Sequence, residues 1–585
     1  MMSKMNIKSV SEILKSKGLA APILNALIPN EYNYKALLMQ PNGRIDAGAD
    51  GVWNHDRKLA KKQFSAFLND ASQIQADLVV TPEYSMPWET LLETVKNDIV
   101  PAQGKLWALG CESIKLSELN ELQKGLPPFV SLIYEPLEEN NDRFVSPLAY
   151  IFKAIQADDI GQVKTVILVQ FKTFPMGDKD HFETNGMQQG SHVYQFGGNN
   201  GSLRFISLIC SDVFVFDDPL AAAIYDRALI LHIQLNQEPR NENFYGCRQR
   251  LLRFEGDETE ILCLNWARNV LMYCGEQITP WNNIAGSAWY LKSAKFDDRD
   301  ETLNANHRRG LYYTWLKTLR AHALFFNYSP ATFLLDVTKV AHIGVIGSTS
   351  RRRGPQLIRA SVWDNEVGAW SEQDNLEDEF SNAVNESGNA IDELTRIAQN
   401  NPLGAERVLA LCAGMIEYGI DWYDVCRLDS CIIDASEVIH RLTFCQDKHA
   451  QNFRNARLRR CGRLWDIITT DHRLPPSLSD LKEGVQLSWT IEYPHQNVIS
   501  AEGKRATVIY MGEDCSSLQI EAITKKAIEY LHRGFSDPDE SHNAKQRLAV
   551  WFRNMNDEIT LYEHNRFIKI DNPGNISEFD IGREE

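Results

Sequence analysis

Short apolar runs that stop abruptly at a polar residue recur along the first part of this chain, and they constrain its fold more than any other feature. "YKALLMQPN", residues 34–42, is followed by the helical pattern "DRKLAKKQFSAFLNDASQIQA" and then by the run "DLVVTPEYSMP". Strand, helix and strand in that order begin an α/β unit. Runs of the same kind are "KLWALGCES", "PLAYIFKA", "TVILVQFKTFP", "RFISLICSD", "ALILHIQLN", "EILCLNWAR" and "ATFLLDVTKV", with helical patterns such as "DPLAAAIYD" between several of them. Strands this uniformly apolar are covered on both faces, so they belong to one or two large buried sheets. The pattern runs to about residue 365.

A chain of 585 residues is too long for one core, and two or three domains are expected. After the 34–365 domain, "WDNEVGAWSEQDNLEDEFSNAVNESGNAIDE" is acidic and rich in Asn and Ser, which reads as a linker over 366–390. Residues 391–480 have helical periodicity, clearest in "GAERVLALCAGMIEYG" and "DASEVIHRLTFCQDKHAQNFRNARLRRCGRLWDII". Residues 481–585 read as a small α+β module, with strands "VQLSWTIEY", "RATVIYMG" and "ITLYEHNRFIKI" around helices "SLQIEAITKKAIEYLHRG" and "HNAKQRLAVWFRNM". Residues 1–33 form an N-terminal extension. It lacks a continuous apolar core ahead of a cleavage site, so it reads as a short amphipathic helix and not as a leader.

The formal charge of −17 disfavours general binding to nucleic acid or to an anionic membrane. No window approaches the ~20 apolar residues that a membrane span needs. Eleven cysteines, an odd number without a framework pattern, suit a reducing compartment, and a cytoplasmic location is expected. Cys426, Cys431, His440, Cys445 and His449 contain no C-x-x-C pair and sit in helical patterns, so no metal site is expected there. "GVIGSTSRRRGPQ", residues 344–356, departs from the phosphate-binding G-x-x-x-x-G-K-[ST] pattern and reads as a solvated loop. Arg454, Arg457, Arg459, Arg460 and Arg463 read as an intramolecular salt-bridge face and not as a nucleic-acid surface.

Three of the apolar runs deliver chemically useful residues at their ends: Glu83 in "VVTPEY", Lys172 in "VQFKTFP" and Cys210 in "LICSD". Taken singly they are an exposed carboxylate at a turn, a snorkelling lysine and a core cysteine. Neighbouring strands could bring them into one pocket, and together they suffice for acyl transfer. A thiol with an ordinary pKa near ~8.5 needs a base, the role Glu83 fits. A fixed ammonium, Lys172, stabilises the charge that develops when the sulfur attacks an amide or nitrile carbon.

At these residues the sequence resembles the nitrilase, or carbon–nitrogen hydrolase, superfamily, whose Glu, Lys and Cys occur in this order and in similar contexts. Further stretches agree: "HFETNGMQQGSHVYQF" with Glu183 as an accessory glutamate and Gly190, "ALILHIQLNQEP", "CLNWARN" and its asparagine, Asn265, and the turn in "AGSAWY" at Gly286 and Ser287. Asp178 and Asp180 remain alternatives to Glu183. The resemblance covers residues 34–365. It implies a four-layer α-β-β-α sandwich, no cofactor, a small-molecule amide or nitrile substrate, and assembly into a homodimer or higher homo-oligomer. Two features depart from the family pattern. Phe174 stands where the family commonly has a histidine, and extra sequence, including "NHRRGLYYTWLKTLRAHALFF", is expected to reshape the pocket mouth. The expected function is an amidase-like hydrolase of a non-peptide carbon–nitrogen bond. The alternative is a sensor or effector subunit on the same fold, in a stress or defence response, with catalysis altered or absent.

Overall fold

Two large sheets organise the first part of the chain in the computed structural model, which describes residues 5–157, 161–177, 182–198, 202–237, 239, 242–252, 258–281, 286–292, 300–316, 321–341, 354–376, 380–386, 392–414, 448–490, 492–513 and 515–564. A nine-stranded sheet is built around three parallel strands, Tyr34–Gln40, Leu78–Met86 and Leu106–Cys111, and an eight-stranded sheet around Arg204–Ile209, Ala228–Ile233 and Thr259–Leu264, also mutually parallel. The helices Arg57–Gln73 and Trp88–Lys96 cover the nine-stranded sheet, burying Phe64, Phe67, Leu68, Leu91 and Val95 against Val79, Trp107 and Leu109. Its other face meets the eight-stranded sheet. Tyr150 packs edge-on against Tyr194, Phe196 and Phe205 across that interface, and Gln170 Nε2 donates to the Ser207 carbonyl at 2.9 Å. The architecture is therefore mixed α/β with helices against stacked sheets. Among the described residues no helix is long and apolar enough to cross a membrane.

Several stretches have structure that their composition hid. Residues of the N-terminal extension form the strand Asn6–Ser9, which runs parallel to His192–Gly197, and the helix Val10–Ser16, whose Val10 and Leu14 are buried. Part of the 366–390 stretch is sheet. Ala369–Gln373 pairs with Gln356–Asp364, Trp370 packs edge-on against Trp363, and the Trp370 indole donates to the Gln63 carbonyl at 3.1 Å. The strand is an edge with half-exposed polar side chains, which explains its solvated composition. The basic, aromatic stretch after Ser287 folds into the helix Asp300–Arg308 and the antiparallel strands Leu311–Leu316 and Ala321–Phe326, which extend the eight-stranded sheet.

Met1–Glu377 makes up most of one compact unit, and the second lies within residues 378–585. In the second unit the helices Phe380–Glu386, Pro402–Cys412 and Lys448–Thr469 share one core with a five-stranded sheet. Val384, Leu409, Leu464 and Ile467 pack with Val498, Val508, Ala549 and Trp551. "HNAKQRLAVWFRNM" divides into the end of the helix Pro538–Gln546 and the strand Leu548–Arg553, which pairs in parallel with Arg505–Tyr510. Its apolar run Leu548–Phe552 is too short to distinguish helix from strand by period, and burial in the sheet decides. Most of the 344–356 loop and Cys426, Cys431, His440 and Cys445 lie outside the described residues, as does the side chain of His449.

Candidate active site

Glu83 sits where its strand leaves the ladder. Leu78–Met86 pairs with Leu106–Cys111 from Leu78 to Thr81 and then only at Met86, and the intervening Tyr84 has φ +57°. Such a bulge re-aims the side chains it carries, and Pro82, lacking an N–H, loses nothing by leaving the ladder. Across from it a Cβ on Gly110 would stand 2.1 Å from the Pro82 carbonyl oxygen and 2.9 Å from Glu83 Cα. Only bare backbone lets the two strands approach this closely.

Lys172 follows the strand Val163–Phe171. Its N–H donates to the Ser146 carbonyl at 2.9 Å and its carbonyl accepts from Gly190 N–H at 2.8 Å. The ammonium donates to Glu83 Oε1 at 2.9 Å and to both oxygens of Glu183 at 2.8 Å. Glu183, in the short helix Phe182–Gly186, also accepts from the Tyr84 hydroxyl at 2.8 Å and from Met176 N–H at 2.5 Å. Asp178 and Asp180 lie outside the described residues.

Cys210 opens a 3-10 turn, Cys210–Phe214, directly after Arg204–Ile209, at φ +43°. A side chain carried at the end of a strand by so tight a turn stands clear of the sheet, and the left-handed backbone there is strained. Asp212 holds the turn. It accepts from Ile209 N–H at 2.9 Å, Thr173 N–H at 2.7 Å, the Thr173 hydroxyl at 2.8 Å and Phe174 N–H at 3.2 Å, so one carboxylate ties the segment after Lys172 to the turn after Cys210. From the next strand, His232 Nε2 donates to the Cys210 carbonyl at 2.9 Å, and its Nδ1 accepts from Gln234 Nε2 at 3.2 Å. Burial lowers the His232 pKa to about 3, so the ring is neutral and acts as a fixed donor.

The three sequence-predicted residues and Glu183 are thus neighbours, each 2% exposed or less. Glu83 Oε2 accepts from Leu235 N–H at 2.9 Å, and the same carboxylate acts electrostatically on the Cys210 thiol. Burial raises the Glu83 pKa, the Lys172 charge opposes it and Glu183 adds to it, with a result of about 7. Burial would lower Lys172, but Glu183 and Glu83 outweigh it and hold the ammonium well above its usual range. The Cys210 thiol is raised well above its usual range by burial and then by Glu83. At rest the sulfur therefore keeps its proton, beside a carboxylate that can accept one near neutral pH.

Other positions support this group. The Trp266 indole donates to the Glu83 carbonyl at 2.8 Å. Asn265 accepts from Asn236 N–H at 3.1 Å and donates to the Asn236 carbonyl at 2.7 Å, while Asn265 N–H donates to the Ser287 hydroxyl at 3.0 Å. A Cβ on Gly286 would meet Asn265 Nδ2 at 2.6 Å, and one on Gly190 would meet Glu135 Oε1 at 2.6 Å, so both glycines sit at close approaches. Phe174 packs edge-on against Phe214. Sequence reasoning missed Tyr84, His232 and Trp266. The available signal was polar atoms inside apolar runs, a histidine in "ALILHIQLN" above all, since such groups need partners when buried.

No protein-family model matches the chain, and no curated protein matches its sequence. Solved structures do match. An amidase from Nesterenkonia sp. is 11% identical, covering 53% of this chain and 92% of its own, with a TM-score of 0.28. A CN-hydrolase superfamily protein from Xanthomonas campestris, with an arsenic adduct in its active site, is 12% identical over 44% of this chain and 82% of its own, TM-score 0.26. A glutamine-dependent NAD+ synthetase from Acinetobacter baumannii is 11% identical over 88% and 74%, TM-score 0.29. The Nesterenkonia amidase is described as a member of the nitrilase superfamily. That is the superfamily the sequence resembles.

Proposed function

We propose that the chain hydrolyses a non-peptide carbon–nitrogen bond, of an amide in preference to a nitrile, through a thioester on Cys210. On this reading the sulfur attacks the carbonyl carbon as its proton passes to Glu83, and the C=O electron pair moves onto an oxygen stabilised by the Lys172 ammonium. Collapse of the intermediate expels the amine, which takes the proton from Glu83. Glu83 then removes a proton from water as it adds to the thioester, and release of the acid returns that proton to the sulfur. Glu183 positions Lys172 and keeps it charged. The observation that carries the reading is the Lys172 ammonium held between two buried carboxylates, Glu83 and Glu183, with Cys210 buried beside them at the end of its strand. A four-layer α-β-β-α sandwich and homo-oligomeric assembly go with the proposal.

The burial of all three groups favours a second reading, a sensor or effector in which the closed site is altered in activity. The two separate in one experiment. Ammonia release is followed over a panel of small amides and nitriles for the parent and for Cys210→Ala, with mass-spectrometric mapping of a small thiol-directed probe. Hydrolysis by the parent that vanishes in the variant, at a nearly unchanged melting temperature, is expected for the hydrolase. Labelling of Cys210 with no turnover of any substrate points to the sensor, and equal turnover in the variant would remove Cys210 as nucleophile.

A further inference from the structure

The second unit carries a cavity that the hydrolase chemistry does not use. The strands Arg505–Tyr510 and Leu548–Arg553 run parallel, with Tyr510 opposite Trp551, so both finish at the same sheet edge. Beyond that edge the chain turns through Gly512 and Glu513 and starts the helix Ser517–Arg533, whose first turn is capped by Ser516. The carboxyl end of parallel strands in an open sheet is where α/β folds present ligand sites. A cavity of about 400 Å³ lies there, lined by Arg459, Arg460, Arg463, Arg553, Tyr510 and Glu513 among others. That volume lies within the ~300–1,000 Å³ typical of small-molecule sites.

The arginines are not equivalent. Arg463 is neutralised by Asp471 at 3.1 Å and Asp466 at 3.7 Å, and Arg553 by Asp557 at 2.7 Å and Glu513 at 3.4 Å. Among the described residues neither Arg459 nor Arg460 makes an ion pair, and Arg460 has only a long contact, 3.5 Å, to the Ala413 carbonyl. The Arg460 guanidinium occupies space that a side chain at 512 would need. Gly512 has φ +90°, and a Cβ there would lie 2.9 Å from Arg460 Nε. Four guanidiniums thus face two lining carboxylates, Asp466 and Glu513, in a chain whose formal charge is −17. Planar forks of this kind match phosphate oxygens. The overall negative field repels long polyanions while a concave cationic pocket still admits a small one.

We propose that this cavity binds a phosphate-bearing small molecule, with Arg459 and Arg460 as its phosphate ligands and Arg463 and Arg553 as its fixed walls. The test titrates inorganic pyrophosphate into the full chain at constant ionic strength, reading heat by calorimetry and the melting temperature, with sulfate as the matched anion. Pyrophosphate is expected to bind below about millimolar and to raise the melting temperature. The double variant Arg459→Gln, Arg460→Gln should weaken binding at least about tenfold, a loss of roughly 1.4 kcal/mol or more, with its ligand-free melting temperature unchanged. Arg533→Gln, on an exposed residue paired to Glu529, should leave binding as it was. Gly512→Ala should weaken it through Arg460. Absence of binding, an equal response to sulfate, or undiminished binding by the double variant would overturn the proposal. So would binding of single-stranded RNA that depends on the same arginines and that pyrophosphate does not displace.

Discussion

Glu83 titrates in the range where a base is useful, and this has a consequence for stability as well as for rate. The side chain goes from an ordinary 4.5 in the unfolded chain to about 7 in the fold. Below pH 4.5 both states hold the proton. As pH rises from 4.5 to 7 the unfolded chain releases it first, so this contribution to stability is lost across that window and is constant above it. The shift corresponds to something on the order of 3 kcal/mol. Denaturant melts of Glu83→Gln and of the parent should therefore diverge between pH 4.5 and 7.5, with the parent losing the more. Parallel profiles would show that another group sets the slope. The same ionisation predicts that kcat/KM of the parent rises with pH through about 7. At this scale Glu83, Lys172 and Cys210 were legible because each polar residue ends or interrupts an apolar run. Tyr84 and His232 were not, since rings inside such runs read as core, which they also are: 1% and 3% exposed.

Elements position these residues through spacing more than through propensity. The Gly110 strand can lie against the bulge at Pro82 only because no side chain intervenes, so Gly110→Ala must separate the strands or displace Glu83. We expect a loss of roughly 1–3 kcal/mol of stability, and a fall in kcat larger than any change in KM. An active variant with unchanged melting would mean that the bulge absorbs the methyl group. The long, uniformly apolar strands were legible from their runs alone. The edge strand Ala369–Gln373 was hidden by its half-exposed polar faces. Leu548–Arg553 was hidden by the helix Pro538–Gln546 immediately before it. The hairpin strands Leu311–Leu316 and Ala321–Phe326 were hidden because the basic and aromatic residues there read as an insertion at the pocket mouth. Yet Tyr312, Tyr313 and Phe325 are all fully buried.

At the scale of the whole molecule, every residue of the candidate active site belongs to the first compact unit. A chain ending at residue 376 should therefore fold alone and leave the reactivity of Cys210 toward a small thiol reagent as it is in the full chain. One ending at residue 367 lacks the Ala369–Gln373 strand and the Trp370 contacts, and it should melt at a lower temperature. Equal melting of the two truncations would show that the edge strand contributes nothing. The sheet order also sets the sequence of assembly on a ribosome. Tyr34–Gln40 lies between Leu78–Met86 and Ala331–Val337, and the Asn33 side chain reaches Asp336 across 303 positions. Asn6–Ser9 likewise waits for His192–Gly197. Closing such loops costs little stability, because the entropy grows only logarithmically with length, but it slows folding. At ~5–20 residues per second, the second partner of the Tyr34–Gln40 strand, Ala331–Val337, emerges roughly 20 to 70 seconds after synthesis begins. Until then the sheet that carries Glu83 has an inner strand open along one edge, so nascent chains remain open to mispairing after Glu83, Lys172 and Cys210 have all been made.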